Sequence, residues 1–320
     1  MRAPPDGLAT DTVAAALCDG WGIEAELAYA PVGAGSYHWH AGDVFVTVDD
    51  LDQKAWLGRG RDVVFANLRA AFDTAAELRA AGLDFVVAPV PGRAGEALRR
   101  LGDRHSIAVF PFLDGAAGEF GVYESGADRL AVTGLLARLH GTPARSAPAP
   151  GLALPGRAHL DAALAQLDRP WTGGPLSEPA RDAVRQGAGE LAALLDLADR
   201  LAAVSLRGPL VVTHGEPHAA NVIRAGEGRF LLDWDTVALA PAERDLWLLA
   251  EPDSTLADAY AELTGRALDG RALDYYRLAW DLKDWAEYLN VLRSPHGDND
   301  DTRRSLHALA RIGDVHAGWL

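Results

Sequence analysis

Residues 209–236 read PLVVTHGEPHAANVIRAGEGRFLLDWDT. Apolar runs at 210–212 and 230–232 bracket six groups able to do chemistry: His214, Glu216, His218, Asn221, Asp233 and Asp235. Polar side chains usually stay in water, so several set beside two apolar strands point to a site; an ordinary strand-capping loop is the alternative. The stretch reads as strand, loop, strand, turn, strand.

Around this island the period is helical, at 127–140, 157–168, 178–204, 242–250, 255–264, 271–293 and 302–311. A Pro-rich stretch, 143–155, connects two of these helices. The first third differs. A helix over 10–20 is opened by Thr10 or Asp11 and closed by Gly20. Gly33, Gly35 and Gly42 then punctuate two short runs, 37–40 and 44–48, that predict an antiparallel hairpin. Leu68, Phe72, Ala75 and Leu78 give a helix over 61–81. Two apolar runs follow, DFVVAPV (84–90) and SIAVFPF (106–112), the second a buried strand stopped by Pro111. The pattern predicts an α+β chain with a β-rich lobe over 1–113 and a mostly helical lobe over 114–320.

Composition narrows the partners. The 320 residues are 49% hydrophobic and 23% charged, enough for a substantial core. Asp and Glu total 45 against 30 Lys and Arg, a formal charge of −15. That argues against nucleic acid and is compatible with a cationic substrate. Cys18 is the only cysteine, which excludes internal disulfides and Cys-rich zinc sites and fits a cytoplasmic setting. The most apolar helical stretch, 191–204, carries Asp196, Asp199 and Arg200, so no membrane span is expected. Lys54 and Lys283 are the only lysines, so a mechanism that needs a lysine has two places to find one.

The spacing H-G-E-x-x-x-x-N, followed twelve residues later by D-W-D, resembles the loops of the aminoglycoside phosphotransferase family, whose fold is protein-kinase-like. Gly33-Ala34-Gly35-Ser36 is similar to that family's phosphate-covering loop. Residues 109–115 (VFPFLDG) resemble the interlobe hinge, and 135–143 (LLARLHGTP) resemble its L-x-x-L-H-x-x-P helix end. Glu243-Arg244-Asp245-Leu246 looks like its later structural aspartate. The resemblance runs from about residue 30 to 293 and looks closest to the spectinomycin-phosphotransferase side.

The resemblance implies a bilobal kinase-like fold and transfer of the γ-phosphoryl of ATP or GTP to a hydroxyl of a small molecule, with Mg²⁺. It implies that Glu216 is the base facing the acceptor and that His214 braces the loop. Asn221 and Asp233 are the implied Mg²⁺ ligands, with Asp235 a secondary metal group or a structural one. The nucleotide would meet Gly33, Gly35, Ser36, Thr47, Phe110 and Phe112. Trp280, Asp281 and Asp284, beside the core stripe Leu278, Leu282, Trp285 and Leu289, would face an aminated acceptor; an ordinary solvated helix face is the alternative.

Two positions depart from the family pattern. Glu216 replaces an aspartate, and Thr47 stands where the strand should carry a lysine paired with a helix carboxylate, for which Asp73 and Glu77 are candidates. Lys54 reaching back from a loop, an Arg or His substitute (His38 or His40), or a weakened grip would each answer the second. A pseudokinase-like binding protein is therefore the rival reading.

Other chemistries fit less well. His214 and His218 flank Glu216, but the zincin motif puts its glutamate directly after the first His on a helix, and Pro217 disfavours one. Gly33-x-Gly35 is too short for a dinucleotide fingerprint, and no G-x-S-x-G is present.

Overall fold

The computed structural model describes residues 4–5, 7–33, 35–120, 123, 125–149, 153–205, 207–249 and 255–311. In chain order the elements begin with α1 (Thr10–Trp21), β1 (Ala28–Ala30), β2 (Tyr37–Ala41), β3 (Val44–Asp50) and α2 (Arg61–Ala80). Next come β4 (Arg99–Leu101), β5 (His105–Pro111), β6 (Ala116–Ala117) and α3 (Gly126–His140). Helices α4 (Arg157–Leu164), α5 (Ser177–Gln186) and α6 (Ala188–Ser205) lead to β7 (Val211–Thr213), β8 (Val222–Ala225), β9 (Gly228–Leu231) and β10 (Ala238–Ala240). The chain continues through α7 (Glu243–Leu246), α8 (Thr255–Thr264), α9 (Gly270–Arg293) and α10 (Asp300–Leu309). Mixed α+β character is as expected.

Two compact units form. The first joins residues 1–150 to 209–267; the second joins 151–208 to 268–320. The cut expected after residue 113 falls inside the first unit, because the early segments bond directly to the 209–236 island. Leu231 accepts from the amide of Val87 (3.0 Å) and donates to the carbonyl of Phe85 (2.7 Å).

The first unit is built on an antiparallel sheet of order β1-β2-β3-β5-β4. Residues directly opposite share a face. Tyr37, Trp39, Val46, Val48, Ile107 and Val109 face α1, packing on Val13 and Leu17. The pairs His38–Thr47, His40–Phe45, Thr47–Ala108 and Phe45–Phe110 line the other face. There Ala108 packs with Leu68 and Phe72 of α2.

Several expectations need correction. Helix α1 runs through Gly20 to Trp21 and closes at Gly22, and neither Thr10 nor Asp11 caps it, since Ala9 holds the N-cap position. The apolar run 84–90, for which no strand was expected, makes a parallel bridge between Val86 and Leu231. Pro111 ends β5 from inside the strand, at an edge position opposite Val44. The helix expected over 178–204 breaks at Gly187 into α5 and α6. The one expected over 242–250 shrinks to the four residues of α7. Strand β10, unforeseen, pairs with β7.

In the second unit α9 is the hub. Leu278, Leu282, Trp285 and Leu289 are buried as expected, among Leu160, Leu191, Leu194 and Leu195 of α4 and α6. Gly156 opens α4 at φ 71°, and a β-carbon there would stand 2.5 Å from the side chain of Ala286 on α9. Gly156→Ala is expected to destabilise this unit by about 1–3 kcal/mol, from the left-handed backbone and the overpacked contact. Urea denaturation checks this, and an unchanged midpoint would mean that α4 and α9 can move apart freely.

Candidate active site

The 209–236 island is held by one buried carboxylate. Asp245 on α7 accepts from the backbone amides of His214 (2.7 Å) and Gly215 (2.6 Å). His140, at the end of α3, stands 3.1 Å from the same carboxylate through Nε2 and 2.9 Å from the Tyr260 hydroxyl through Nδ1. Burial alone would raise the Asp245 carboxyl, but the His140 contact and the Arg244 charge outweigh it and hold the carboxyl below its usual range. Gly215 has φ 100°, and a side chain there would strike the Arg244 guanidinium. Arg244 itself donates to Thr213 Oγ1 and the Thr236 carbonyl, both at 2.8 Å. Both ends of the island are thus clamped to α7.

Within the loop, His214 is fully buried and works as a brace. Its Nε2 meets the Leu232 carbonyl at 2.6 Å, and its Nδ1 accepts from the Glu216 amide at 3.3 Å. Burial lowers its pKa, so the ring is neutral. Tyr123 donates to the Pro217 carbonyl. Asn221 gives its amide nitrogen to the Glu216 carbonyl (3.0 Å) and lies 3.3 Å from His218 Nε2. Glu216 remains half-buried at the turn.

The hairpin register sets the second half. Val222 pairs with Leu231, and the Leu232 amide bonds the Asn221 carbonyl at 2.9 Å, so Asn221 lies opposite Leu232, the residue before Asp233. Asp233 sits at φ 59°, the one non-glycine at positive φ among the described residues. Such left-handed strain concentrates at functional positions. Asp233 is exposed as a residue. Desolvation of its carboxyl, then Asp235, raises its pKa well above the ordinary value, with Lys54 pulling the other way.

Lys54, the lysine nearest in sequence to Thr47, is buried beside the island. It lies in the turn after β3, 2% exposed, with Nζ 2.6 Å from Asp235 and 3.1 Å from Asp49. Burial works against the charged form, but Asp235 and Asp49 overcome it and raise the Lys54 pKa. Asp49 Oδ1 also accepts from Ser36 Oγ at 2.6 Å. Neither helix carboxylate named from sequence takes this part. Glu77 binds the Arg145 amide (2.6 Å) and Ser146 Oγ (2.7 Å), and Asp73 has no place among Lys54's partners.

The remaining expected site residues are placed as follows. Gly33 and Gly35 form the β1–β2 turn, at φ 68° and 82°; Ala34 lies outside the described residues. Thr47 Oγ1 is 3.2 Å from His38 Nδ1, with the His38 ring stacked on Phe45. Phe110 turns edge-on to Phe72 of α2, whereas Phe112 is 44% exposed against His40. Trp280, Asp281 and Asp284 are partly exposed on α9 of the second unit, where Lys283 lies 5.1 Å over the Trp280 ring. Asp49 belongs to no motif; its one signal in the sequence is the acidic pair Asp49-Asp50 at the end of an apolar strand. Asp50, its neighbour, is held by Arg104 at 2.6 Å.

The donor set fits a hard divalent cation. Asn221 keeps its carbonyl oxygen after its amide nitrogen is used, and Asp233 adds a carboxylate. Among the described residues no three His, Cys, Asp or Glu side chains form a closed metal cage. An open pair of oxygen ligands suits Mg²⁺, which keeps waters and takes substrate phosphates.

Asp245→Ala is expected to cost about 3–5 kcal/mol, because it strands buried donors around the loop. Urea titration followed by circular dichroism reads it. His38 gives a pH prediction. Burial, helped by Lys54, lowers its pKa from 6.5 to about 3. Between those values the unfolded chain binds the proton and the native chain does not, so this contribution is lost as pH falls below about 6.5. The acid limb of stability should flatten in His38→Gln, compared by denaturation midpoints at neutral and mildly acidic pH.

Comparison with known proteins agrees with this fold. Protein StrN of Streptomyces griseus is 28% identical over 291 residues, covering 86% of this chain and 82% of that protein. The spectinomycin phosphotransferase APH(9)-Ia, solved with ADP and spectinomycin, superposes with a TM-score of 0.71 at 18% identity, covering 98% of this chain and 99% of that one. The ADP-bound aminoglycoside phosphotransferase APH(2'')-Ib gives a TM-score of 0.54 at 14% identity, covering 95% and 98%. The phosphotransferase enzyme family (APH) matches residues 39–288, and with a kinase-like fold built around that stretch, the chain belongs to this family of enzymes.

Proposed function

We propose that this enzyme transfers the γ-phosphoryl group of ATP or GTP, with Mg²⁺, to a hydroxyl of an aminated small molecule of the aminoglycoside or aminocyclitol class. The observation that carries the reading is the hairpin register that sets Asn221 opposite Leu232, the residue before Asp233, on the same island as Glu216. The family supports the reaction class, and ADP and spectinomycin are bound to the structural relative. A chain charge of −15 favours a cationic acceptor over nucleic acid. Among the described residues no helix is long and apolar enough to cross a membrane, and we assign the enzyme to the cytoplasm. Inactivation of an antibiotic is the role this chemistry suits.

Glu216 orients the acceptor hydroxyl and takes its proton as the oxygen bonds to phosphorus. The bond to the β-phosphate oxygen breaks, leaving a phosphate monoester and a nucleoside diphosphate. The transition state is loose, so positioning and charge matter more than base strength. Asn221 and Asp233 would hold Mg²⁺, which neutralises charge on the phosphates when bound. Asp235, already bonded to Lys54, is a secondary group. Gly33, Gly35 and Ser36 close over the phosphates, and Phe112, more open than Phe110, meets the base. Trp280, Asp281 and Asp284 are assigned to the acceptor.

Glu216→Gln should lower kcat by about 10²–10⁴-fold, as loss of a general base does, with the nucleotide Kd nearly unchanged. Asp233→Ala should abolish Mg²⁺-dependent nucleotide binding in a thermal-shift titration. Transfer of labelled γ-phosphate to a panel of aminocyclitols and aminoglycosides tests the acceptor. No transfer and no nucleotide-dependent shift in the folded protein would instead favour a pseudokinase-like binding role.

A further inference from the structure

Lys54 and Asp49 lie outside the loops to which the reaction is assigned, yet they join those loops. A buried lysine among carboxylates is costly to assemble unless its charge is used or fully paired. An ammonium has three donors. In Lys54 two face Asp235 and Asp49, and the third side is covered by the Trp56 ring, 5.1 Å from Nζ. Trp56 is 36% exposed, so that cover sits at the surface. A ring face holds a cation more weakly than a charged oxygen does. Asp49 is 1% exposed and holds both Lys54 and the Ser36 hydroxyl through Oδ1, while its Oδ2 is buried without a hydrogen-bond partner. One carboxylate therefore fixes the glycine turn and the lysine together. On the strand, the expected lysine position is Thr47, whose hydroxyl is engaged with His38.

We propose that Lys54 supplies the nucleotide-phosphate cation that β3 lacks at Thr47, and that Asp49, on the strand itself, replaces a helix carboxylate as the group that positions it. The inference rests on the nucleoside triphosphate reading given above. When the nucleotide binds, a phosphate oxygen takes the third donor of Lys54 in place of the Trp56 ring. Lys54 is then a binding residue, and Asp49 a positioning residue that acts through it. The lysine has moved seven residues along the chain, and its carboxylate partner has moved from α2 to β3.

The test is nucleotide affinity, measured by titration calorimetry with Mg²⁺ and ATP or GTP, alongside the melting temperature without ligand. Lys54→Met should weaken the nucleotide Kd by about 10- to 100-fold, the worth of one hydrogen bond to a charged group. Lys54→Arg should recover part of the loss. If Lys54→Met does not fold, Asp49→Asn decides. That variant keeps the side chain's size but releases Lys54 and Ser36, and should raise the nucleotide KM several-fold with a smaller change in kcat. A folded Lys54→Met with wild-type Kd, or Asp49→Asn with wild-type KM, would overturn the proposal. A wild-type protein that binds no nucleotide at all would instead overturn the nucleotide reading on which it rests.

Discussion

The ammonium of Lys54, shared between Asp49 and Asp235, is the constraint to which the first unit is fitted. Asp49 and Asp235 are 1% and 8% exposed, and both buried carboxylates are paired with this one cation. The pair also spans 181 positions of chain, tying the turn after β3 to the end of the 209–236 island. Helix α2 packs on the same face of the sheet as Thr47 and Ala108, and Leu57, just past Lys54, packs against that cluster. Trp234, fully buried, bonds the Leu231 carbonyl at 3.0 Å and keeps Asp235 from swinging away. The ion pair, the sheet face and the buried tryptophan therefore define one geometry among them.

Asp245 does a parallel task for the other half of the site. It offers two oxygens to two consecutive amides and a histidine, which fixes the path of the loop before any ligand arrives. The two carboxylates differ in what they hold. Asp245 anchors backbone through neutral donors, so its work is structural. Asp49 and Asp235 hold a cation, and a cation can be presented to another anion. That difference in partner chemistry explains why one cluster reads as scaffold and the other as part of phosphate handling.

Much of this was legible in the sequence where the signal is local. The island's strands, the β2–β3 hairpin and the buried stripe of α9 all follow from periodicities of two or of three and four. Asn221 and Asp233 stand out through the H-G-E-x-x-x-x-N and D-W-D spacing that resembles the family's loops. What failed was tertiary. The partners of Lys54 come from a strand and from a segment far along the chain, and no spacing rule joins them. Glu77, at a plausible helical position, turned out to bind the connector at Arg145 and Ser146. Phe110 and Phe112 look equivalent in sequence, yet β5 ends at Pro111, so Phe110 still packs edge-on to Phe72 of α2 while Phe112, past the end of the strand, is exposed against His40. Gly187 breaks a helix that apolar periodicity alone would have carried through.

The longer side chain of Glu216 remains the point at which this chain differs most from its family's pattern, and the surroundings limit how the extra methylene can be absorbed. The Glu216 amide is held by His214 Nδ1, and its carbonyl by Asn221. Pro217 follows, with its carbonyl held by Tyr123. A backbone retreat would break bonds on both sides of the residue, and the Asn221 bond among them orients the proposed metal ligand. The adjustment must therefore fall on the torsions of the half-buried side chain, since the backbone is held on both sides. A carboxylate that reaches further from a fixed backbone sets the acceptor hydroxyl further out. In the proposed reaction the room for that outward shift has to come from the acceptor side, since Asp233 and Lys54 are the groups assigned to the phosphates.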